Sequence, residues 1–209
     1  MAIAQTLEVA EATRLESLWR GDFGDDYVNR NRNVGDVRAQ FWQDILTTCD
    51  VHRVLEVGCN LGANLRWFVD RIPEHNLFGI DVNSSALDTL RESYPRIQTL
   101  NATARELPFR DGWFDMVFTQ GVLIHQPEST LHEVMSEIVR CSNKYVLCGE
   151  YFSEDTVEVP YRGQAGALFK RDYGEIYEQM FPNLKLRKKG FLGRDQGWDD
   201  VTFWLFEKE

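Results

Sequence analysis

What this chain lacks narrows what it can be. Basic residues are outnumbered, 23 Lys and Arg against 33 Asp and Glu, giving a formal charge of −10 and a pI near 4.9. Non-specific attachment to nucleic acid or anionic lipid depends on neutralising phosphates with Lys and Arg, so neither is expected as a partner. No apolar run approaches the ~20 residues of a membrane-spanning helix; the longest, such as 116–118 and 121–124, last a few residues. Cysteine is scarce, and Cys49, Cys59, Cys141 and Cys148 form no C-x-x-C pair. That argues against a zinc or disulfide framework and leaves four reduced packing residues. The first 19 residues carry Glu8, Glu11 and Glu16 and no basic leader, so no secretory signal is expected and the reading is cytoplasmic. No repeat or low-complexity tract is present, and nothing in the sequence sets an oligomeric state.

What is present fits one α/β domain with a sizeable core: 209 residues, 43% hydrophobic and 12% aromatic. The chain is arranged around 51–65. There a short apolar strand, 53–57, runs into a glycine-bearing turn and a helix expected to open near Gly62. Glycines at a strand end let backbone N–H groups approach a ligand, because no Cβ intervenes. The dinucleotide pattern G-x-G-x-x-G would need glycine at 58, 60 and 63, where the chain has Gly58, Asn60 and Ala63, so NAD(P) is disfavoured. A second apolar strand, 76–81, ends in Asp81 about 20 residues after the turn, where a carboxylate can accept both ribose hydroxyls of a nucleoside.

Glu56-x-Gly58-x-Asn60-x-Gly62 followed by Asp81 resembles the first motifs of class I S-adenosylmethionine (SAM) methyltransferases. Asn60 departs from the glycine of that pattern but tolerates a left-handed backbone better than most residues. The resemblance implies an α/β, Rossmann-like class I methyltransferase fold: a seven-stranded, mostly parallel sheet with helices on both faces. It implies SAM as cofactor and S-adenosylhomocysteine as product. The cofactor contacts it implies are Glu56, Gly58, Cys59, Asn60 and Gly62 in the turn, Asp81 and Val82 after the second strand, Asn101 and Ala102 after the third, and Gln120 after the fourth. Asn101 stands where the class commonly places an acid facing adenine. An amide there can still hydrogen-bond the base edge.

Periodicity supplies the remaining elements. A helix over about 5–20 carries Leu7, Ala10, Leu15, Leu18 and Trp19, and a glycine-rich loop is expected over 19–31. A second helix carries Val37, Phe41, Ile45 and Leu46. Residues 1–50 thus read as a helical lid or extension, and 51–209 as the core with an insertion at about 151–170. Further helices are expected at 84–94, at 128–141 with a Thr130/Glu133 capping box, and before Pro182. Further strands are expected at 96–100, 113–119, 145–150, 184–191 and 201–207.

More distinctive peptides lie outside the turn. Residues 18–27 with Asn29-Arg30-Asn31, then 121–125, 140–145, 150–152, 160–163, 168–172 and 200–204, resemble the small methylases associated with pseudaminic acid biosynthesis. The likeness covers roughly 18–208. It implies methyl transfer to oxygen or nitrogen of a nonulosonic acid or another small polar metabolite, with no metal required. A hydroxyl acceptor needs a base, and His125, after the fourth strand, is the candidate, with Glu150 and Tyr151 next in line. Tyr27, Arg30, Asn31, Tyr161, Arg162, Lys170 and Arg171 are expected to hold a small, anionic acceptor. Asp195, Asp199 and Asp200 are read as a loop rather than a metal cluster. Two alternatives stay open: a macromolecular acceptor, tRNA or protein, and a silent SAM-binding module.

Overall fold

Side-chain alternation decides the layers. In β1 (Val54–Val57) all four residues are buried, and successive side chains leave on opposite faces of the sheet. Val54 joins one core cluster with Met116, Phe118 and Leu147, while Leu55 and Val57 join the other with Val117, Val146 and Phe206. Strands covered on both faces need near-continuous apolar sequence, as 114–118 supplies.

A computed structural model of the chain describes residues 2–32 and 35–209, with side chains from Ala10 onward. Met1, Asn33 and Val34, within the expected lid, and the side chain of Leu7 lie outside what is described. Besides β1, the main sheet contains β2 (Leu77–Asp81), β3 (Gln98–Asn101), β4 (Phe114–Gln120), β5 (Ser142–Glu150), β8 (Leu184–Leu192) and β9 (Val201–Lys208). Its order is β3-β2-β1-β4-β5-β9-β8, and β9 alone runs antiparallel to both its neighbours. The order reverses between β1 and β4, which opens a crevice at the carboxyl ends of those strands.

Helices α3 (Ala39–Thr48) and α4 (Ser84–Ser93) cover one face, and α5 (Glu128–Cys141) and α6 (Tyr173–Met180) the other. Trp42 of α3, with no exposed surface, packs its ring 5.0 Å from Phe118 and 5.3 Å from Phe68. So α3, which falls before residue 50, is part of the core. The expected stripe on it holds at Phe41 and Ile45, but Val37 is 62% exposed. Asn83 caps α4, its side-chain oxygen accepting from the Ala86 N–H at 2.8 Å.

Helices α1 (Ala2–Arg20) and α2 (Asp22–Arg30) lie over the carboxyl-end crevice. Glu16 accepts from Thr103 at 2.6 Å and from Arg105 at 2.8 Å, and the Trp19 carbonyl accepts from Asn83 at 3.1 Å. Arg14 donates to the Ala165 carbonyl at 2.9 Å, tying α1 to the insertion. On α1, Ala12 and Leu15 are buried and Ala10 is exposed. The insertion contains a two-stranded ribbon, β6 (Val157–Glu158) with β7 (Phe169–Lys170).

Local expectations fail at three places. Residues 22–30 form α2 and not a loop, because Gly24 packs against the Trp19 carbonyl and Asn83 so closely that a Cβ would clash, and here glycine serves contact. Between β1 and β2 no α-helix forms: turns follow, with short 3₁₀ turns at Leu65–Trp67 and Glu74–Asn76. The capping box at α5 is absent; Pro127 is the cap, and Thr130 bonds back to Gln126 and to the Pro127 carbonyl. The four cysteines are buried and unbonded to one another.

Candidate active site

The turn after β1 is built by backbone that only a few residues accept. Gly58 has φ +71°, where a Cβ would also lie 2.5 Å from Val122 Cγ2. Asn60 adopts φ +48°, the left-handed conformation expected of it. Its N–H donates to Asp81 Oδ2 at 2.8 Å, and the Asn83 N–H donates to Oδ1 at 2.9 Å. The Asp81 carboxylate therefore ties the turn to the end of β2. Each oxygen keeps lone-pair capacity for a further hydroxyl donor. Burial raises the Asp81 pKa, and the amides of Asn83 and Asn60 work against that.

Glu56, 1% exposed, accepts from Asn64 Nδ2 at 2.7 Å through one oxygen, while its other oxygen is buried without a partner. Desolvation pushes its pKa up to about 8. Arg38 enters the same cavity: its Nε donates to the Gly197 carbonyl at 2.9 Å and its guanidinium lies 4.3 Å over the Trp198 ring. No carboxylate pairs with Arg38 among the described residues. A buried carboxylate with a free oxygen and a cation with free donors suit a zwitterionic amino-acid head group. Gln120, at the end of β4, also presents a buried Nε2 without a partner.

These groups line one cavity of about 480 Å³, within the roughly 300–1,000 Å³ usual for small-molecule sites. Its far end is aromatic. The His125 ring lies 4.6 Å from Trp19 and 5.3 Å from Tyr161, and Trp19 meets Tyr27 edge-on at 5.3 Å. His125 Nδ1 lies 2.5 Å from the Ala167 carbonyl oxygen. A carbonyl only accepts, so that nitrogen carries the proton and Nε2 keeps the lone pair. Burial lowers the His125 pKa to about 4, which keeps the ring neutral.

The cavity gathers most of the sequence-predicted residues: Glu56, Gly58, Cys59, Asn60, Asp81, Val82, Ala102 and Gln120 at one end, and Tyr27, Arg30, Asn31, His125, Tyr151, Tyr161 and Arg162 at the other. Cys59 contributes backbone, since its thiol packs against Gly79. Burial raises the Tyr27 hydroxyl to about 12 and the Tyr151 hydroxyl further.

Five positions are placed differently. Gly62 is packed under Leu90, where a Cβ would lie 2.4 Å from Cδ1. Asn101 turns its amide to the carbonyls of Asp81 and Val82, at 3.1 and 2.9 Å, and braces the end of β2. Glu150, with no exposed surface, accepts from the N–H groups of Val122 and Ile124, both at 3.2 Å, and does not reach the cavity. Arg171 is 2% exposed and donates to the Gln126 carbonyl at 3.2 Å, with Glu128 3.6 Å away. Lys170 leans toward Tyr151, its Nζ 5.9 Å from the ring, outside the lining.

Trp19, Arg38, Trp198 and Asp199 line the cavity without having been singled out as contacts. Asp195 and Asp200 stay in the loop before β9, where Asp200 pairs with Arg194 at 3.1 Å. Among the described residues no cluster of three His, Cys, Asp or Glu is placed to hold a metal ion, and no helix is long and apolar enough to cross a membrane.

Comparison with known proteins agrees with this geometry. Residues 54–144 match the family described as "Methyltransferase domain". An uncharacterized methyltransferase of Schizosaccharomyces pombe is 31% identical over 109 residues, 47% of this chain and 39% of that protein. A probable S-adenosylmethionine-dependent methyltransferase of Mycobacterium tuberculosis is 31% identical over 86 residues, 40% of this chain and 30% of that one. The aligned region thus spans well under half the length of these relatives.

Among solved structures, the 1,6-didemethyltoxoflavin-N1-methyltransferase of Burkholderia thailandensis, with its substrate and S-adenosylhomocysteine bound, superposes with a TM-score of 0.73 at 14% identity, over 94% of this chain and 90% of that one. The SAM-bound magnesium protoporphyrin IX methyltransferase of Synechocystis PCC 6803 gives 0.69 at 10% identity, over 95% and 97%. At such identities the likeness is one of fold. The fold is the Rossmann-like fold of class I methyltransferases.

Proposed function

We propose that this protein transfers a methyl group from SAM to oxygen or nitrogen of a small, polar, anionic metabolite. The observation that carries the reading is the cavity itself. One end offers Asp81, the Gly58–Asn60 turn and the Glu56/Arg38 pair, a match for a nucleoside joined to an amino acid; the other end is enclosed by α1, α2 and the insertion around a neutral histidine. SAM, when bound, supplies a methyl carbon on a sulfonium leaving group.

The protein's work is then alignment and, for a hydroxyl acceptor, removal of a proton by His125 Nε2. Arg30 and Arg162 support an anionic acceptor. Both line the cavity, each beside a tyrosine ring, and neither pairs with a carboxylate among the described residues. Covering helices favour a small acceptor over tRNA or protein. The nonulosonic acids implied by the sequence resemblance have the right size and charge.

The test has two stages. Calorimetry is expected to show S-adenosylhomocysteine binding that Asp81→Ala weakens by more than tenfold; no binding by the intact protein would remove the proposal. Labelled methyl transfer from SAM is then expected into a low-molecular-mass metabolite extract and not into tRNA or protein fractions. Transfer into neither would leave a silent binder.

A further inference from the structure

The 3₁₀ turn at Leu123–His125 sits at the rim of the crevice, and its amides converge on one group. Glu150 ends β5, next to β4 in the sheet, and its two carboxylate oxygens face the Val122 and Ile124 N–H groups at 3.2 Å each. One residue further, His125 closes the turn through its own N–H to the Val122 carbonyl at 3.0 Å. The Ala167 carbonyl, from the insertion, accepts the hydrogen bond of the imidazole Nδ1–H.

We propose that Glu150 is the positioning residue for His125: its carboxylate forks onto the turn's amides and sets where the Ala167 carbonyl meets the ring, hence which ring nitrogen is left bare. This rests on the reading of His125 as the proton acceptor. A fully buried carboxylate is costly to keep in a protein, and among neutral side chains none offers two acceptor oxygens without a donor. Spending that cost on a rim turn, rather than on an apolar filler, has a use if the turn must not shift. Burial raises the Glu150 pKa to about 7 while the amides pull it down.

The test is Glu150→Gln, which keeps the volume but turns an NH₂ group toward an N–H, beside Glu150→Asp, which keeps the charge but falls short of the fork. In histidine-¹⁵N-labelled protein, His125 is expected as the Nδ1–H tautomer in the parent and as a shifted or mixed signal in both variants, with S-adenosylhomocysteine affinity retained. Labelled methyl transfer into the metabolite extract is expected to fall roughly ten- to a hundredfold at saturating SAM, the scale of a displaced catalytic group. The double variant with His125→Ala is expected to be no slower than His125→Ala alone. An unchanged His125 signal in either folded variant overturns the proposal, as do losses that multiply in the double variant. If His125→Ala alone leaves transfer intact, the base reading fails, and the tautomer signal still decides the role of Glu150.

Discussion

His125 donates its Nδ1–H to the carbonyl oxygen of Ala167, 2.5 Å away, so the strand-end turn and the insertion meet at one imidazole. With Nδ1 engaged, Nε2 is the nitrogen free to accept a proton. For a hydroxyl acceptor, His125→Ala is expected to lower the single-turnover methyl-transfer rate by roughly 10²- to 10⁴-fold with little change in SAM affinity. For an amine that binds neutral, the loss should be far smaller. Lost SAM affinity would instead make His125 a structural or cofactor residue.

Glu56 predicts a proton released on binding. Its pKa, pushed up to about 8 by burial, leaves it protonated at pH 7 in the free protein. A ligand ammonium beside the unpaired oxygen favours the charged form, so binding S-adenosylhomocysteine at pH 7 should release up to about 0.9 proton. Calorimetry in buffers of different ionisation enthalpy measures this number. Glu56→Gln should abolish the buffer dependence and weaken binding.

The same groups set the pH dependence of stability. Glu56 and Glu150, held at about 8 and about 7, keep protons in the folded state that an unfolded carboxylate loses near pH 4.5. The stability they contribute is present at low pH and lost as pH rises through those values. His125, lowered to about 4 from 6.5, contributes the other way, gaining stability between those two values. Above pH 6.5 the histidine no longer offsets the carboxylates, so the Tm of the ligand-free protein should fall between pH 6.5 and 8. In Glu56→Gln the fall should be shallower.

The turn and Asp81 at one end of the cavity were legible in the sequence because they are written in backbone needs. A positive φ at Gly58 and Asn60, and a carboxylate at the end of the next strand, leave marks in residue type at fixed spacing. The other end of the cavity is assembled from distant segments, and side-chain direction decides which residues line it. Arg171 and Lys170 look like Arg30 and Arg162 in sequence, yet Arg171 is 2% exposed beneath Gln126. Arg38 lies one step off the apolar stripe of α3 and carries no pattern of its own; only its approach to Trp198 places it in the cavity. Glycine misled at Gly24, where it marks close packing inside a helix and reads in sequence like a loop breaker.

Arg30 and Arg162 reach the cavity mouth from α2 and from the insertion, and no carboxylate partner takes their charge among the described residues. If they hold an anionic acceptor, each alanine substitution should raise the acceptor KM by about ten- to thirtyfold, as for a lost charged hydrogen bond of ~1.5–2 kcal/mol. SAM affinity should stay unchanged, and added salt should raise the parent KM. Lys170→Ala and Arg162→Ala with equal effects would point to a diffuse surface field in place of a contact.

Gly149 tests the strand-end geometry without touching charge. It pairs with Gln120 across β5 and β4, and a Cβ there would lie 2.1 Å from Gln120 Oε1 and 2.5 Å from Nε2. Its backbone is not left-handed, so Gly149→Ala acts through this contact alone. The amide must swing aside, and the room open to it is the cavity that Gln120 lines. Gly149→Ala is therefore expected to weaken S-adenosylhomocysteine binding by about tenfold or more and to cost about 1–3 kcal/mol of stability from overpacking. Gly35→Ala, where an added Cβ would meet no atom within 4 Å among the described residues beyond its chain neighbours, is the control and should change neither. Placing Gln120→Ser in the Gly149→Ala background should recover the stability, since the smaller side chain clears the methyl group. Affinity should stay low if the unpaired Gln120 Nε2 is a donor to the cofactor, and recover with stability if Gln120 was only in the way.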